Sequence, residues 1–395
     1  MRVLIAILVV ACAAVAAADP VSVGSAKSLA NGAAVELHGK RVAAVYGDGC
    51  IYVQEPDRSA GIRVAAGSVT VAIGDLVDVT GTMSTRHINE TAPAEREITN
   101  ATVSPVVVDN PNPPASPVRL IFIHHSCGSN WLTDSNGGLG IALRNANYFV
   151  SDTNYGWGPS GIGDSTDIGH WWTWFRGPSS ATYLAALYAE TAQTLNYSRL
   201  AANPGGPNEI VMFKSCYPNS ALRGSTSDPI PPIATNPLKG QSCGSSYHTV
   251  SNAKGIYIDL LEYFAAHQEK LFVVITAPAL QSATYSANAR HFNNWLVNDW
   301  LDGYPYSNVA VFDFYNVLTT NGGSATVNDL GLATGNHHRW WDSAIQHKTD
   351  GDDDANPNVL EYPSGDDHPT SAGNKKATGE YVQLLNVAYH RWKGN

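Results

Sequence analysis

Charge is scarce in this chain. Of 395 residues only 15% are Asp, Glu, Lys or Arg, against 44% hydrophobic, a balance that excludes an intrinsically disordered chain. Basic residues are the rarer sign: 24 Lys and Arg stand against 34 Asp and Glu, for a formal net charge of -10. That deficit argues against nucleic acid or an anionic membrane surface as the main partner and favours a neutral or weakly charged substrate. Long apolar runs are missing as well. Beyond the N-terminal segment no stretch approaches the roughly 18 apolar residues that a membrane span requires. Cysteine is sparse, with 5 in all, whereas 10 Trp and 18 Tyr are plentiful. Such rings are core filler and also the kind of face on which sugars stack.

The N-terminus has the three regions of a secretory signal peptide: Arg2, an apolar segment from Val3 to Val15, then Ala16-Ala17-Ala18 before Asp19-Pro20. Cleavage after Ala18 removes residues 1–18 and predicts a secreted or periplasmic protein. The alternative, Val9-Val10-Ala11-Cys12, reads as a lipoprotein site with a lipid anchor at Cys12 and a protein tethered to the outer membrane. Without Cys12 there remain Cys50, Cys127, Cys216 and Cys243, which an oxidising compartment allows to pair in three ways.

Residues 19–108 read as a small all-β module. Short β-branched runs (Ala34–Leu37, Arg41–Tyr46, Cys50–Gln54, Gly61–Val64, Leu76–Gly81, Ile98–Val103) alternate with turn signals such as Gly47-Asp48-Gly49 and Gly74-Asp75, which predicts five or six strands in a barrel. Asp109–Pro117, D-N-P-N-P-P-A-S-P, is a proline-rich connector. From Val118 to the end at 395 the rhythm becomes α/β. Apolar strands are expected at Val118–Ile123, Asn208–Lys214, Leu271–Ala277 and Asn308–Phe314. Helices are expected around Gly138–Asn147 and over His248–Lys270, Ala287–Leu301 and Ser371–Trp392. Strands of this kind separated by helices form a parallel sheet covered on both faces. Three long irregular inserts, 148–177, 223–247 and 319–363, remain, and such loops are usually functional or bracing.

The α/β segment is organised around V-R-L-I-F-I-H-H-S-C-G, residues 118–128. A buried strand stops abruptly at polar residues, and the carboxyl ends of strands in open α/β sheets are where ligands and chemistry sit. Ser126 is therefore either a helix N-cap or a nucleophile. A nucleophilic serine needs a base, an orienting carboxylate and donors for an oxyanion. Near the far end of the segment, G-D-D-H-P-T-S-A-G (365–373) carries Asp and His in a loop leading into the last helix.

A nucleophile at the start and an Asp/His loop at the end of one α/β segment resembles the SGNH (GDSL-like) hydrolase superfamily, in a divergent branch. The resemblance implies a flavodoxin-like three-layer parallel sheet. It implies Ser126 as nucleophile, His368 as base, Asp366 or Asp367 as the orienting acid, and the Cys127 N–H with Asn219 as oxyanion donors. A glycine of the loop 154–163 would be a further donor. It requires no metal and no cofactor. The pattern departs at His124-His125 in place of Gly-Asp, at Lys214–Asn219 in place of Gly-x-Asn-Asp, and at Gly365, which holds the usual acid position. The N-terminal module, with G-C-I-Y-V-Q-E-P-D-R and V-A-I-G-D-L-V-D-V-T-G, resembles the OB-fold domains attached to exported bacterial enzymes. It lacks a run of Lys or Arg, which favours an accessory or spacer role over nucleic-acid binding.

On this reading the chain is an exported serine esterase removing an acyl group, in the first instance acetyl, from a carbohydrate, with a lipid or small aryl ester as the other substrate left open. His125, Trp157, Trp171, Trp172 and Trp340, with Trp174 and Trp341 nearby, are the candidate substrate faces. The alternative is a non-catalytic carbohydrate-binding protein on the same scaffold. A literal Gly163-Asp164-Ser165 also occurs, but in a loop rather than after a strand. His124-His125 and His337-His338 are read as structural or site-lining, because adjacent histidines on a strand point opposite ways. Asp350–Glu361 has the oxygen spacing of a calcium loop but Ala355 where the turn glycine belongs, and is read as a solvated acidic loop. Cys127 and Cys216 follow strands that are neighbours in a flavodoxin-like order, so a disulfide between them is one expectation; Cys216 with Cys243 is its rival.

Overall fold

The computed structural model describes residues 20–87, 93–106, 109–320, 335–349 and 358–394. The expected leader, Cys12 included, lies outside the described residues, as does most of the acidic loop 350–361. The chain divides into two units, Met1–Val108 and Asp109–Asn395.

In the first unit a short helix, α1 (Val23–Lys27), precedes five strands: β1 (Ala34–Val45), β2 (Cys50–Gln54), β3 (Gly61–Ala65), β4 (Leu76–Arg86) and β5 (Glu95–Pro105). They close into a barrel in the order β1-β2-β3-β5-β4, in which β3 and β5 run parallel. Alternate residues of each strand, among them Val35, Leu37, Ile51, Val53, Val77 and Val79, fill the interior. The two runs expected at Ala34–Leu37 and Arg41–Tyr46 are one strand. The register against β4 shifts between Leu37 and Lys40, where Gly39 takes a φ of 60°, so glycine bends the strand through a bulge instead of ending it.

The second unit is a five-stranded parallel sheet of β6 (Val118–Ile123), β7 (Tyr148–Thr153), β8 (Ile210–Lys214), β9 (Leu271–Ile275) and β10 (Val309–Phe312), in the order β10-β9-β8-β6-β7. All six residues of β6 are buried, as a strand covered on both faces requires. Arg119 interrupts the apolar run without breaking it, because its guanidinium donates to the carbonyls of Gly206 and Glu190. Leu120, Phe122, Val150, Met212 and Val273 face one way, against α2 (Ser126–Leu132), α3 (Leu139–Asn145) and the closing helix. Ile121, Ile123, Val211, Phe213 and Val274 face the other, against α4 (Ile168–Phe175), α5 (Ser180–Ala189), α6 (Val250–Ala266) and α7 (Ser286–Asn298). A single turn, α8 (Phe314–Val317), a hairpin of β11 (His337–Trp341) and β12 (Ala344–Lys348), and α9 (Ser371–Lys393) complete the unit.

Two differences from the sequence reading matter for the site. Residues 148–177 are not irregular: they hold β7 and α4. The strand was hidden because its second half is Ser151-Asp152-Thr153, polar yet fully buried. Asp152 survives there because Thr194, Tyr197 and His124 all hydrogen-bond its carboxylate. The proline-rich stretch 109–117 is pinned to the second unit: the carbonyls of Pro111 and Pro114 accept from Asn386 and Asn147, and Asp109 pairs with Arg391. Among the described residues no helix is long and apolar enough to cross a membrane.

Candidate active site

Strand order reverses between β6 and β8, the position in an open parallel sheet where the connections leave a crevice at the strands' carboxyl ends. Ser126 emerges there as the first residue of α2, with His125 in an extended conformation at the N-cap. Gly128 lets the helix settle onto the strand end: a Cβ at that position would lie 2.3 Å from the Cβ of His124.

His368 reaches Ser126 from the loop before α9. That loop is a clasp. Pro363 bridges Pro369, the Ser364 N–H donates to the His368 carbonyl at 3.0 Å, and Gly365 makes the turn with a φ of 111°. The Asp366 carboxylate accepts from the His368 backbone N–H and from its Nδ1–H, both at 2.9 Å. With the proton on Nδ1, Nε2 is the acceptor, and the Ser126 hydroxyl donates to it at 2.7 Å. The backbone bond from His368, with its side-chain bond, holds the exposed Asp366 carboxyl below the usual carboxylate range. Asp367 does not meet the imidazole; its Oδ1 accepts from the Gln281 N–H at 2.8 Å. The ring of Tyr217 packs edge-on against His368, centroids 4.9 Å apart.

Asn219, the expected oxyanion donor, is hydrogen-bonded within the protein. It is buried, and its Nδ2 donates to Asp167 Oδ1 at 2.6 Å and to the Cys216 carbonyl at 3.3 Å, while its Oδ1 accepts from the Ile168 N–H at 2.9 Å. Both amide hydrogens are engaged in tying the start of α4 to the turn after β8. Three loop glycines are likewise committed: the N–H groups of Gly156, Gly161 and Gly163 bond Asp164, Gly158 and Trp157. The Gly163-Asp164-Ser165 sequence forms a turn in which the Ser165 carbonyl accepts from Trp174 Nε1 at 2.7 Å.

The histidines before Ser126 do separate things. His124 is buried and its Nε2–H donates to Asp152 Oδ2 at 3.1 Å. His125 donates from Nε2 to the Gly163 carbonyl at 2.7 Å and accepts at Nδ1 from Thr166 at 3.0 Å, and burial lowers its pKa, favouring the neutral ring. Tyr155, 62% exposed, stacks on it at 4.2 Å. His337 and His338 are structural: His337 Nδ1 and the His338 N–H both bond Glu380.

The tryptophans expected to face substrate are held mainly by the core and its edges. Trp171 and Trp174 are fully buried in the core, Trp157 stacks on Trp174 and bonds Glu190, Trp172 lies under Lys239, and Trp340 packs against the core beside β10 and α9. Tyr155 and Tyr217 are rings packed on the histidines beside Ser126, and composition alone does not distinguish them from the other tyrosines.

Cys216 is the neighbour that sequence reasoning placed correctly in space but misread in chemistry. Its Sγ lies 3.4 Å from Ser126 Oγ and 3.2 Å from Cys127 Sγ, and both cysteines are free thiols. Cys243 is free as well, so neither expected disulfide is present. Burial pushes the Cys127 thiol well above its ordinary value, and the two sulfurs are hydrogen-bonded to each other. That bond, aided by the buried Lys214 charge and by Ser126 and outweighing burial, pulls Cys216 down to about 4. The signal was available: Lys214, a buried lysine ending an apolar strand, one residue short of Ser215-Cys216.

No family model and no curated protein matches the chain. Among solved structures, a family two carbohydrate esterase from Clostridium thermocellum in complex with cellohexaose aligns at 13% identity over 72% of this chain and 82% of that one, with a TM-score of 0.24. A likeness that slight carries no argument, and the functional reading rests on the geometry.

Proposed function

We propose that the second unit is a serine esterase of the SGNH (GDSL-like) type on a flavodoxin-like sheet, removing an acyl group, in the first instance acetyl, from a carbohydrate outside the cytoplasm. The observation that carries this reading is the relay Ser126 Oγ–His368 Nε2, 2.7 Å, and His368 Nδ1–Asp366 Oδ1, 2.9 Å. These are the separations at which a hydroxyl can be deprotonated by a base whose tautomer a carboxylate fixes.

In the proposed reaction Ser126 Oγ attacks the ester carbonyl as its proton passes to His368 Nε2. The resulting imidazolium is held by Asp366, and the oxyanion takes the Cys127 N–H at the start of α2. His368 then returns the proton to the departing alcohol. Water, deprotonated by the same nitrogen, cleaves the acyl-enzyme and restores Ser126. One oxyanion donor contributes about 10²–10³ in rate, so the Cys127 N–H is a substantial part of the proposal.

The exposed Tyr155 ring beside the site supports a sugar as the alcohol portion, since a flat exposed face stacks on a pyranose. The barrel of the first unit is proposed to be an OB-type accessory module; the parallel closure of β3 on β5 and its lack of a basic run support that reading. Assays on aryl acetates and acetylated oligosaccharides test the proposal. Ser126→Ala and His368→Ala should each lower kcat by on the order of 10⁴ or more with an unchanged melting temperature, and full activity in either variant would contradict it.

A further inference from the structure

The sulfurs beside Ser126 form a cluster that the esterase reaction does not use. Cys127 Sγ, Cys216 Sγ and a ring nitrogen of His368 all lie within 4.8 Å of one another, and come from three separate elements: the first turn of α2, the turn after β8 and the loop before α9; Nδ1 is held by Asp366, which leaves Nε2, beside Ser126, as the ligand. We propose that these three atoms bind a thiophilic divalent cation, of which zinc is the type, and that the bound ion silences the nucleophile.

The donor set is what such an ion prefers. Two thiolates and an imidazole suit zinc or cadmium, and are a poor match for magnesium or calcium, which take oxygen. The geometry needs little change. Zn–S bonds of about 2.3 Å in a tetrahedron put the two sulfurs about 3.8 Å apart, and they now stand 3.2 Å apart. Cys127 is fully buried, whereas Cys216 is only partly buried. On binding, the thiol protons of Cys127 and Cys216 are released to solvent, and two thiolates balance the charge of the ion. Solvent or Ser126 Oγ, 3.4 Å from Cys216 Sγ, completes the fourth position.

The consequence follows from His368. Its Nε2 lone pair is the one that accepts the Ser126 proton, so an ion bound there removes the base, and metal binding and ester hydrolysis exclude each other. This part of the inference rests on the esterase reading; the binding itself does not.

The test uses the full chain, reduced, freed of reductant under argon, and titrated with Cd²⁺ while the ultraviolet sulfur-to-cadmium charge-transfer band is followed. A band saturating at one ion per chain is expected. Cys216→Ser and His368→Asn should each raise the apparent Kd by about 10- to 100-fold or more, with folding checked by circular dichroism. Ser126→Ala should give the same end point as the parent although it has no nucleophile. In the parent, Zn²⁺ should abolish ester hydrolysis and EDTA restore it. Absence of a band while both thiols react freely with a thiol reagent would overturn the proposal. So would a band unaltered in Cys216→Ser, which would belong to Cys50 or Cys243, or a Cys127–Cys216 disulfide that forms despite added Cd²⁺. Should the protein prove to have no esterase activity, the titration still decides the metal site.

Discussion

His368 Nε2 stands 2.7 Å from Ser126 Oγ although 242 residues separate them in the chain. The intervening sheet brings one end of the second unit to the other: Ser126 starts the helix after β6, and the His368 loop leads into α9, which packs beside that helix. Two adjacent carboxylates precede the histidine, and the fold uses them differently.

Asp366 is predicted to orient the base and Asp367 to anchor the loop. Asp366→Asn should lower kcat by about 10- to 100-fold, less than the roughly 10⁴-fold loss for a buried triad carboxylate, because Asp366 is solvent-exposed. Asp367→Asn should leave kcat within a few-fold of the parent. Equal losses in steady-state assays of the two variants would contradict the division of labour. The sign of the pH effect follows from the lowered Asp366 pKa: the carboxylate stays ionised through its ordinary range near 3.8, and its hold on His368 is lost only as pH falls through the lower folded-state value.

Asn219 is predicted to act on stability and not on the transition state. Loss of an oxyanion donor costs about 10²–10³ in kcat, whereas Asn219→Ala here should change kcat by less than about tenfold and lower the melting temperature, because it leaves the Asp167 carboxylate and the Ile168 N–H without their partner. Kinetics and thermal unfolding of one variant separate the two roles. A kcat loss beyond about a hundredfold with an unchanged melting temperature would restore Asn219 to the oxyanion hole.

The aromatic residues make a parallel pair. Trp171→Ala should destabilise the fold by about 3–5 kcal/mol, as loss of a large core side chain does, since Trp171 is fully buried and its Nε1 donates to Ser215. Tyr155→Ala should barely move stability and should raise KM for sugar esters several-fold while leaving aryl acetates unaffected. If Tyr155→Ala alters both substrates alike, the ring is not a sugar platform.

Much of this arrangement is legible in the sequence, and the limits have physical causes. The strand ending at Ile123 announces itself by an apolar run interrupted only by Arg119, and the Asp/His loop by its place just before a long amphipathic helix. What distance along the chain does not reveal is where a side chain's hydrogen bonds go. Asn219 sits in the right turn after β8, yet its amide points at the start of α4. Asp366 and Asp367 are indistinguishable as letters, and only the turn at Gly365 selects between them. The tryptophans illustrate a general ambiguity, since a large ring buries as readily as it binds. β7 was illegible because its polar half is buried through partners far along the chain, Thr194 and Tyr197.

Cys216 is predicted to react as a thiolate in acid. Its depressed pKa places the charged form above about 4 in the folded protein and, for an unfolded chain, only above the ordinary 9.0. The stability contributed by the ionised sulfur is therefore lost progressively as pH falls from about 9 to about 4. Iodoacetamide at pH 6 should alkylate Cys216 well ahead of Cys50 and Cys243, whose thiols are raised by burial. Peptide mass analysis over a pH series reads this directly; equal rates at all three would contradict the assignment.

The central claim is that Ser126 is an activated nucleophile, and covalent capture tests it most directly. A fluorophosphonate incubated with the purified chain should add one label per molecule, and peptide mapping should place it on Ser126. Labelling should vanish in Ser126→Ala and be strongly slowed in His368→Ala. An unlabelled protein, or a label on Ser165 in place of Ser126, would contradict the account.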